Sequence, residues 1–159
     1  EFGAVGPGQA SADTISKVAD LADTHLQSWA YWTFKSFHDI TTQNSNTETF
    51  YNADGSLQTL KVQAVARTYA KAIAGQPSSI SMSFDTDTAE FNLRYAHSTS
   101  ATAPTTIYYS TEYWYPNGYV ANVTPDSVKL VEADAYHLEV QVPSSVANGT
   151  TISVTLTAK

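Results

Sequence analysis

The sequence predicts an α/β segment followed by an antiparallel β-sandwich, a chain that is α/β and then all-β. Apolar residues recur at helical spacing in the first part, and the period changes to two afterwards. The change of period gives residues 1–77 as the α/β part and 78–159 as the sandwich. Composition supports a folded, β-rich chain. Its 159 residues are 42% hydrophobic, 12% aromatic and 14% charged, which is the reverse of a disordered composition. A chain of this length can bury one domain-sized core.

In chain order, Glu1 to Ala4 reads as the end of a strand, and Val5-Gly6-Pro7-Gly8 as a loop. Ser11 or Asp13 offers an N-cap. Ile15, Val18, Ala19, Ala22 and Leu26 predict an amphipathic helix over residues 12–25. Ser28-Trp29-Ala30-Tyr31-Trp32-Thr33-Phe34 predicts a buried strand from its aromatic and Thr content. Thr41 to Asn46 is a polar loop. Asp54-Gly55-Ser56 predicts a turn and a second cap. Leu57, Leu60, Val62, Ala64, Val65, Tyr69, Ala72 and Ile73 extend a helix to Ala74, which Gly75 and Pro77 terminate.

Beyond residue 78 the alternation is strict. Ile80, Met82 and Phe84 form one strand, and Phe91, Leu93 and Tyr95 another. Tyr136, Leu138, Val140 and Val142 form a third, and Ile152, Val154 and Leu156 a fourth. Thr106–Thr111 and Val128–Glu132 add two more. Asp85-Thr86-Asp87, Pro116-Asn117-Gly118, Ala133-Asp134 and Asn148-Gly149 supply the turns.

A strand–helix–strand–helix unit cannot close its own sheet, because both outer edges stay unpaired. Two readings follow from pattern alone. Either residues 1–77 complete a sheet supplied by another chain, or their helices pack on the sandwich as a small α+β domain.

The order of certain segments carries a resemblance. Glu1-Phe2-Gly3-Ala4 resembles the strand end that bears the nucleophile in glycoside hydrolase family 5. Trp29-Ala30-Tyr31-Trp32-Thr33-Phe34-Lys35 resembles the eighth barrel strand of that family. Phe50-Tyr51-Asn52-Ala53-Asp54-Gly55-Ser56-Leu57, Lys61-Val62-Gln63-Ala64 and Arg67-Thr68-Tyr69-Ala70 resemble the final helix of endoglycoceramidases. Tyr113-Trp114-Tyr115-Pro116-Asn117-Gly118-Tyr119 is similar to part of their C-terminal sandwich. The resemblance implies that residues 1–77 are the last two β/α units, a quarter of a (β/α)₈ TIM barrel, and that 78–159 are the appended sandwich. It implies Glu1 as nucleophile, with Trp32 and Lys35 on the substrate side and Trp29 in packing. The family's acid/base lies in an Asn-Glu-Pro motif, which this sequence lacks. The expected partner is therefore the N-terminal remainder of the barrel, on separate or upstream chain. The start at Glu1 rather than Met points the same way, to processing or to a piece of a longer chain.

Other residues have plainer readings. His38 and Asp39 follow the eighth-strand segment and read as cleft or loop residues. His25, His97 and His137 lack metal-ligand spacing, and Asp85 and Asp87 read as a turn rather than a calcium loop. Tyr113, Trp114, Tyr115 and Tyr119 read as packing, or as a sugar or lipid platform. Asn122-Val123-Thr124 and Asn148-Gly149-Thr150 are glycosylation sequons. With no Cys, they suggest a secreted or lysosomal glycoprotein.

Charge narrows the partners. Eight Lys and Arg stand against fifteen Asp and Glu, a net charge of −7. No basic run exists to follow a nucleic-acid backbone. No apolar run reaches the ~18 residues of a membrane helix, and no residue set calls for a cofactor or metal. Two functions remain. One is the C-terminal part of a retaining β-glycosidase acting on glycolipids, inactive without the missing barrel. The other is a non-catalytic structural module that self-assembles through its unpaired strands.

Overall fold

The computed structural model describes residues 1–36, 40 and 48–159. The expected loop Thr41–Asn46 lies outside the described residues. The chain divides into two compact units, Glu1–Ala66 and Arg67–Lys159.

The first unit holds β1 (Phe2–Gly3), α1 (Gln9–Thr24), β2 (Tyr31–Trp32) and α2 (Thr59–Val65). β1 and β2 pair in parallel, Phe2 opposite Tyr31 and Gly3 opposite Trp32. α1 starts earlier than the sequence predicts. Its N-cap is Gly8, at φ 100°, a conformation glycine adopts without a Cβ penalty. Ser11 and Asp13 therefore lie inside the helix and do not cap it. Asp13 instead accepts a hydrogen bond from Gln9 Nε2 at 2.7 Å. Ala12, Ile15, Ala19 and Ala22 form the buried stripe. Ala12 and Ile15 pack with Ala64 of α2, and Phe2, Val5, Tyr31 and Val65 close round them.

Leu26 does not extend that stripe. It lies past the helix at φ 50° and is 44% exposed. Leu26 N donates to Asp23 O at 3.1 Å and Gln27 N to Ala22 O at 2.8 Å. This is a Schellman closure with leucine in the left-handed position that glycine usually fills.

The second helix is much shorter than expected. Asp54-Gly55-Ser56 forms the turn, with Ser56 N donating to Asp54 Oδ1 at 2.9 Å and Gly55 at φ 82°. It does not cap the helix, whose N-cap is Gln58. α2 ends at Val65, and the stretch expected to continue it becomes β3 (Tyr69–Ala72). Pairing of β3 with a neighbouring strand supplies backbone partners that outweigh the helix preference of its alanines. Gly75 and Pro77 end no helix. Pro77–Ser79 is a single 3₁₀ turn.

The second unit continues with β4 (Ser81–Asp85), β5 (Glu90–Ala96), β6 (Thr105–Tyr108) and β7 (Tyr119–Thr124). β8 (Lys129–Asp134), β9 (His137–Gln141) and β10 (Thr151–Ala158) complete it. Two antiparallel sheets result, ordered β4-β5-β10-β7 and β3-β6-β9-β8. Phe91, Leu93 and Tyr95 of β5 and Ile152, Val154 and Leu156 of β10 face inward from the first sheet. Ile107 of β6 and Leu138 and Val140 of β9 face inward from the second, and all nine are at most 1% exposed. They share one core, as two stacked sheets with alternating inward residues must. β7, which the sequence reading left out, joins the edge of the first sheet beside β10. Arg67 is 1% exposed in this unit. Its Nη2 donates to Phe84 O at 3.2 Å, and its guanidinium sits 5.5 Å over the Phe84 ring.

Candidate active site

The parallel register sorts the side chains of the first unit by face. Phe2 and Tyr31 pack toward the helices. Successive strand residues point to opposite faces, so Glu1, Gly3 and Trp32 belong to the other face. Glu1 is exposed, and the following residue is anchored by Phe2 N donating to Ala30 O at 3.0 Å. Trp32 is 41% exposed. Trp29, of opposite parity, meets the Phe2 ring edge-on at 5.6 Å. The two indoles are thus divided between packing and an open face. The Trp32–Thr33 peptide is cis.

Aromatic rings back this strand. Tyr31 stacks on Phe50 at 4.6 Å, and Phe34 meets Tyr51 edge-on at 5.6 Å. Thr33 N donates to Glu48 O at 3.0 Å and Phe50 N to Phe34 O at 3.3 Å. Burial, and then the negative charge of Glu48, push the Tyr31 phenol up to about 12. Lys35 is exposed, with Nζ 5.5 Å from both the Phe34 and Tyr51 ring centroids. That is a cation–π seat. His38 and Asp39 lie outside the described residues.

A residue the sequence reading passed over sits behind this face. Lys61 of α2 is wholly buried, at 0% exposure. Its ammonium donates to Val5 O at 2.6 Å and to Thr49 O at 3.2 Å. Burial pulls its pKa down to about 8. A lysine within an apolar helix pattern reads as solvated, so nothing in the spacing singled it out.

The remaining candidates are distributed elsewhere. Trp114 and Tyr115 are 9% and 1% exposed, and Tyr109, Tyr115 and Tyr119 form mutual ring contacts. The segment Tyr113–Tyr119 is packing, not an open platform. Tyr119 OH donates to Glu132 Oε1 at 3.1 Å, joining edge strands of the two sheets. Asp85 Oδ1 accepts from Asp87 N at 2.7 Å and Thr88 N at 3.2 Å, a turn; those bonds hold its carboxyl below the usual range. His137 Nδ1 lies 2.9 Å from Asp134 Oδ2, and His25 is the C-cap of α1. Among the described residues no group of three His, Cys, Asp or Glu converges as a metal site, and no helix is long and apolar enough to cross a membrane. Asn122 and Asn148 are both exposed. Asn148 Oδ1 accepts from Thr99 N at 3.1 Å.

A chain with these two units is similar to carbohydrate-active enzymes along its whole length. The glycoside hydrolase family 5 C-terminal domain matches residues 67–156, and the chain belongs to that family. It is 28% identical over 158 residues to the endoglycoceramidase of Cyanea nozakii, covering 98% of this chain and 31% of that one. In fold it resembles endo-glycoceramidase II from Rhodococcus sp., solved as a lactosyl-enzyme intermediate. The TM-score is 0.68 at 22% identity, covering 99% of this chain and 32% of that one. Sterylglucosidase 1 of Cryptococcus neoformans gives a TM-score of 0.67 at 13% identity, covering 94% and 24%. The chain thus spans about a third or less of the length of these relatives.

Proposed function

We propose that this chain is the C-terminal part of a retaining β-glycosidase acting on glycolipids. On this reading Glu1–Ala66 provides the last two β/α units of a TIM barrel and Arg67–Lys159 its sandwich; the expected boundary at residue 77 moves back because β3 pairs with β6 in a sandwich sheet. The observation that carries it is the parallel β1–β2 register, with helices packed on the Phe2 and Tyr31 face and Glu1 and Trp32 on the opposite one. Barrels keep their catalytic groups at the C-terminal ends of their strands, and β2 ends at Trp32. Family membership and the likeness to an endoglycoceramidase support the substrate class.

The chemistry needs two carboxyl groups about 5–5.5 Å apart. A Glu1 carboxylate oxygen bonds to the anomeric carbon while that carbon's bond to the aglycone oxygen breaks. The departing oxygen takes its proton from the second carboxyl, which this chain does not contain. Water then gives a proton back to that group and its oxygen to the anomeric carbon, releasing Glu1. The lactosyl-enzyme intermediate of the Rhodococcus enzyme supports a covalent course. The Trp32 indole face holds the sugar ring. Lys35, steadied over Phe34 and Tyr51, donates to a hydroxyl. The chain alone is inactive, and its partner is the N-terminal remainder of the barrel. Glycans on Asn122 and Asn148 and a secreted or lysosomal location complete the proposal, their exposure being its support.

Glu1→Gln in the full-length protein tests the reading. Glycolipid hydrolysis falls by at least about 1,000-fold, as for other lost nucleophiles; activity kept within tenfold sinks the assignment. The second reading is a self-assembling module without catalysis. It is favoured by the two-stranded β1–β2 sheet, whose outer sides carry no strand among the described residues. Intact-mass analysis of native material separates the readings: the enzyme requires N-terminal chain alongside this one, and the module requires none.

A further inference from the structure

We propose that Lys61 is a positioning residue for the candidate active site, acting through the backbone of the strand ends that carry Glu1 and Trp32. The inference rests on the glycosidase reading and extends it to a residue remote from the reacting atoms. Val5 lies two residues past β1, so the 2.6 Å bond from Lys61 Nζ to Val5 O holds the exit of β1, the strand that follows Glu1. The second bond, to Thr49 O at 3.2 Å, holds the segment behind β2. That segment is tied to the strand on either side of Thr49, by Thr33 N to Glu48 O and Phe50 N to Phe34 O. One ammonium therefore ties together the segments that follow both strands. Thr49 is itself wholly buried, and its hydroxyl donates to Tyr51 O at 2.6 Å, which leaves that segment little freedom.

A buried ammonium bonded to carbonyls is a stiff tether, because charge strengthens each hydrogen bond where water is excluded. Removing it takes away both bonds and lets the strand ends separate. A displacement of about 1 Å at a reacting group costs on the order of 100-fold in rate.

The test uses the full-length protein with Lys61→Met, which keeps the apolar stem, and Lys61→Gln, which keeps a donor. Rates are normalised to the amount of folded protein and measured well below its unfolding temperature. We expect kcat to fall by about 100-fold in Lys61→Met, with partial recovery in Lys61→Gln. A purely structural lysine lowers stability but leaves kcat and KM of the folded fraction unchanged. Wild-type kcat and KM in folded Lys61→Met, or in folded Lys61→Gln where Lys61→Met does not fold, overturns the proposal, as does failure of both to fold. Glu1→Gln run in parallel keeps the two ideas apart. Activity lost there but unchanged in Lys61→Met defeats the positioning role alone; activity retained there defeats the nucleophile reading.

Discussion

Gly3 stands so close to Trp32 that a Cβ placed on it would lie 1.8 Å from the Trp32 carbonyl oxygen and 2.9 Å from its carbonyl carbon. The obstacle is backbone, which cannot swing aside like a side chain. Glycine at this position is what lets β1 approach β2. Gly3→Ala is expected to push the strands apart and destabilise the first unit by more than about 2 kcal/mol. Urea unfolding measures it. An alanine variant within about 0.5 kcal/mol of the parent, the range of an ordinary surface substitution, contradicts this account.

The end of α1 predicts a gain. Leu26 occupies a left-handed conformation while remaining 44% exposed, so its strain is offset by little burial. Leu26→Gly relieves the Cβ penalty at some cost in unfolded-state entropy, and is expected to stabilise by about 0.5–1 kcal/mol. Thermal unfolding reads the sign, and a drop in melting temperature goes against the closure described.

Gly75 has a different reason for being glycine. Its φ is outside the positive range, so only space matters. A Cβ there would meet Tyr95 Cδ2 at 2.7 Å and Tyr95 Cβ at 3.0 Å, and Tyr95 is fixed in the sandwich core. Gly75→Ala is expected to cost about 1–3 kcal/mol. In a double-mutant cycle with Tyr95→Leu the penalties should be less than additive; strict additivity means the two do not collide.

Lys61 and the tyrosines give a pH profile with opposite limbs. The folded pKa of Lys61, about 8, lies below its unfolded value near 10.4. The unfolded chain therefore binds more protons in that interval, and stability rises as pH climbs from about 8 to 10. Tyr31 and Tyr119 are pushed up to about 12, above the unfolded value near 10. Their contribution is intact below pH ~10 and is lost between about 10 and 12. Denaturant midpoints should thus peak near pH 10, and Lys61→Met should flatten the rising limb only. A midpoint that falls steadily from pH 8 rules this out.

Strands β5, β9 and β10 were legible because one face of each is fully apolar and buried, so alternation survives in the sequence. β3 was misread because Tyr69-Ala70-Lys71-Ala72 is rich in helix formers, and only pairing with β6 decides its state. β7 went unseen because it is an edge strand in which no residue is fully buried, leaving no period to read. The aromatic segment Tyr113–Tyr119 kept two readings because composition cannot tell a ring under a loop from a ring on a surface. In the site, the opposite parity of Trp29 and Trp32 was readable from their spacing. The roles of Glu1, Trp32 and Lys35 came from resemblance alone. Lys61 stood in the sequence only as part of a segment resembling the family's final helix, with no role of its own, since its worth lies in bonds to the backbone carbonyls of Val5 and Thr49.

The three tryptophans are shared unequally between the units. Trp29 and Trp32 belong to the first, with Trp32 open to water. Trp114 belongs to the second, nearly buried and edge-on to Phe84 at 5.0 Å. The first unit therefore carries two tryptophans and the second one, and Trp32, open to water, is expected to emit further to the red than Trp114. Replacing Trp114 alone, or the other two together, would let the melting of each half be followed by its own light.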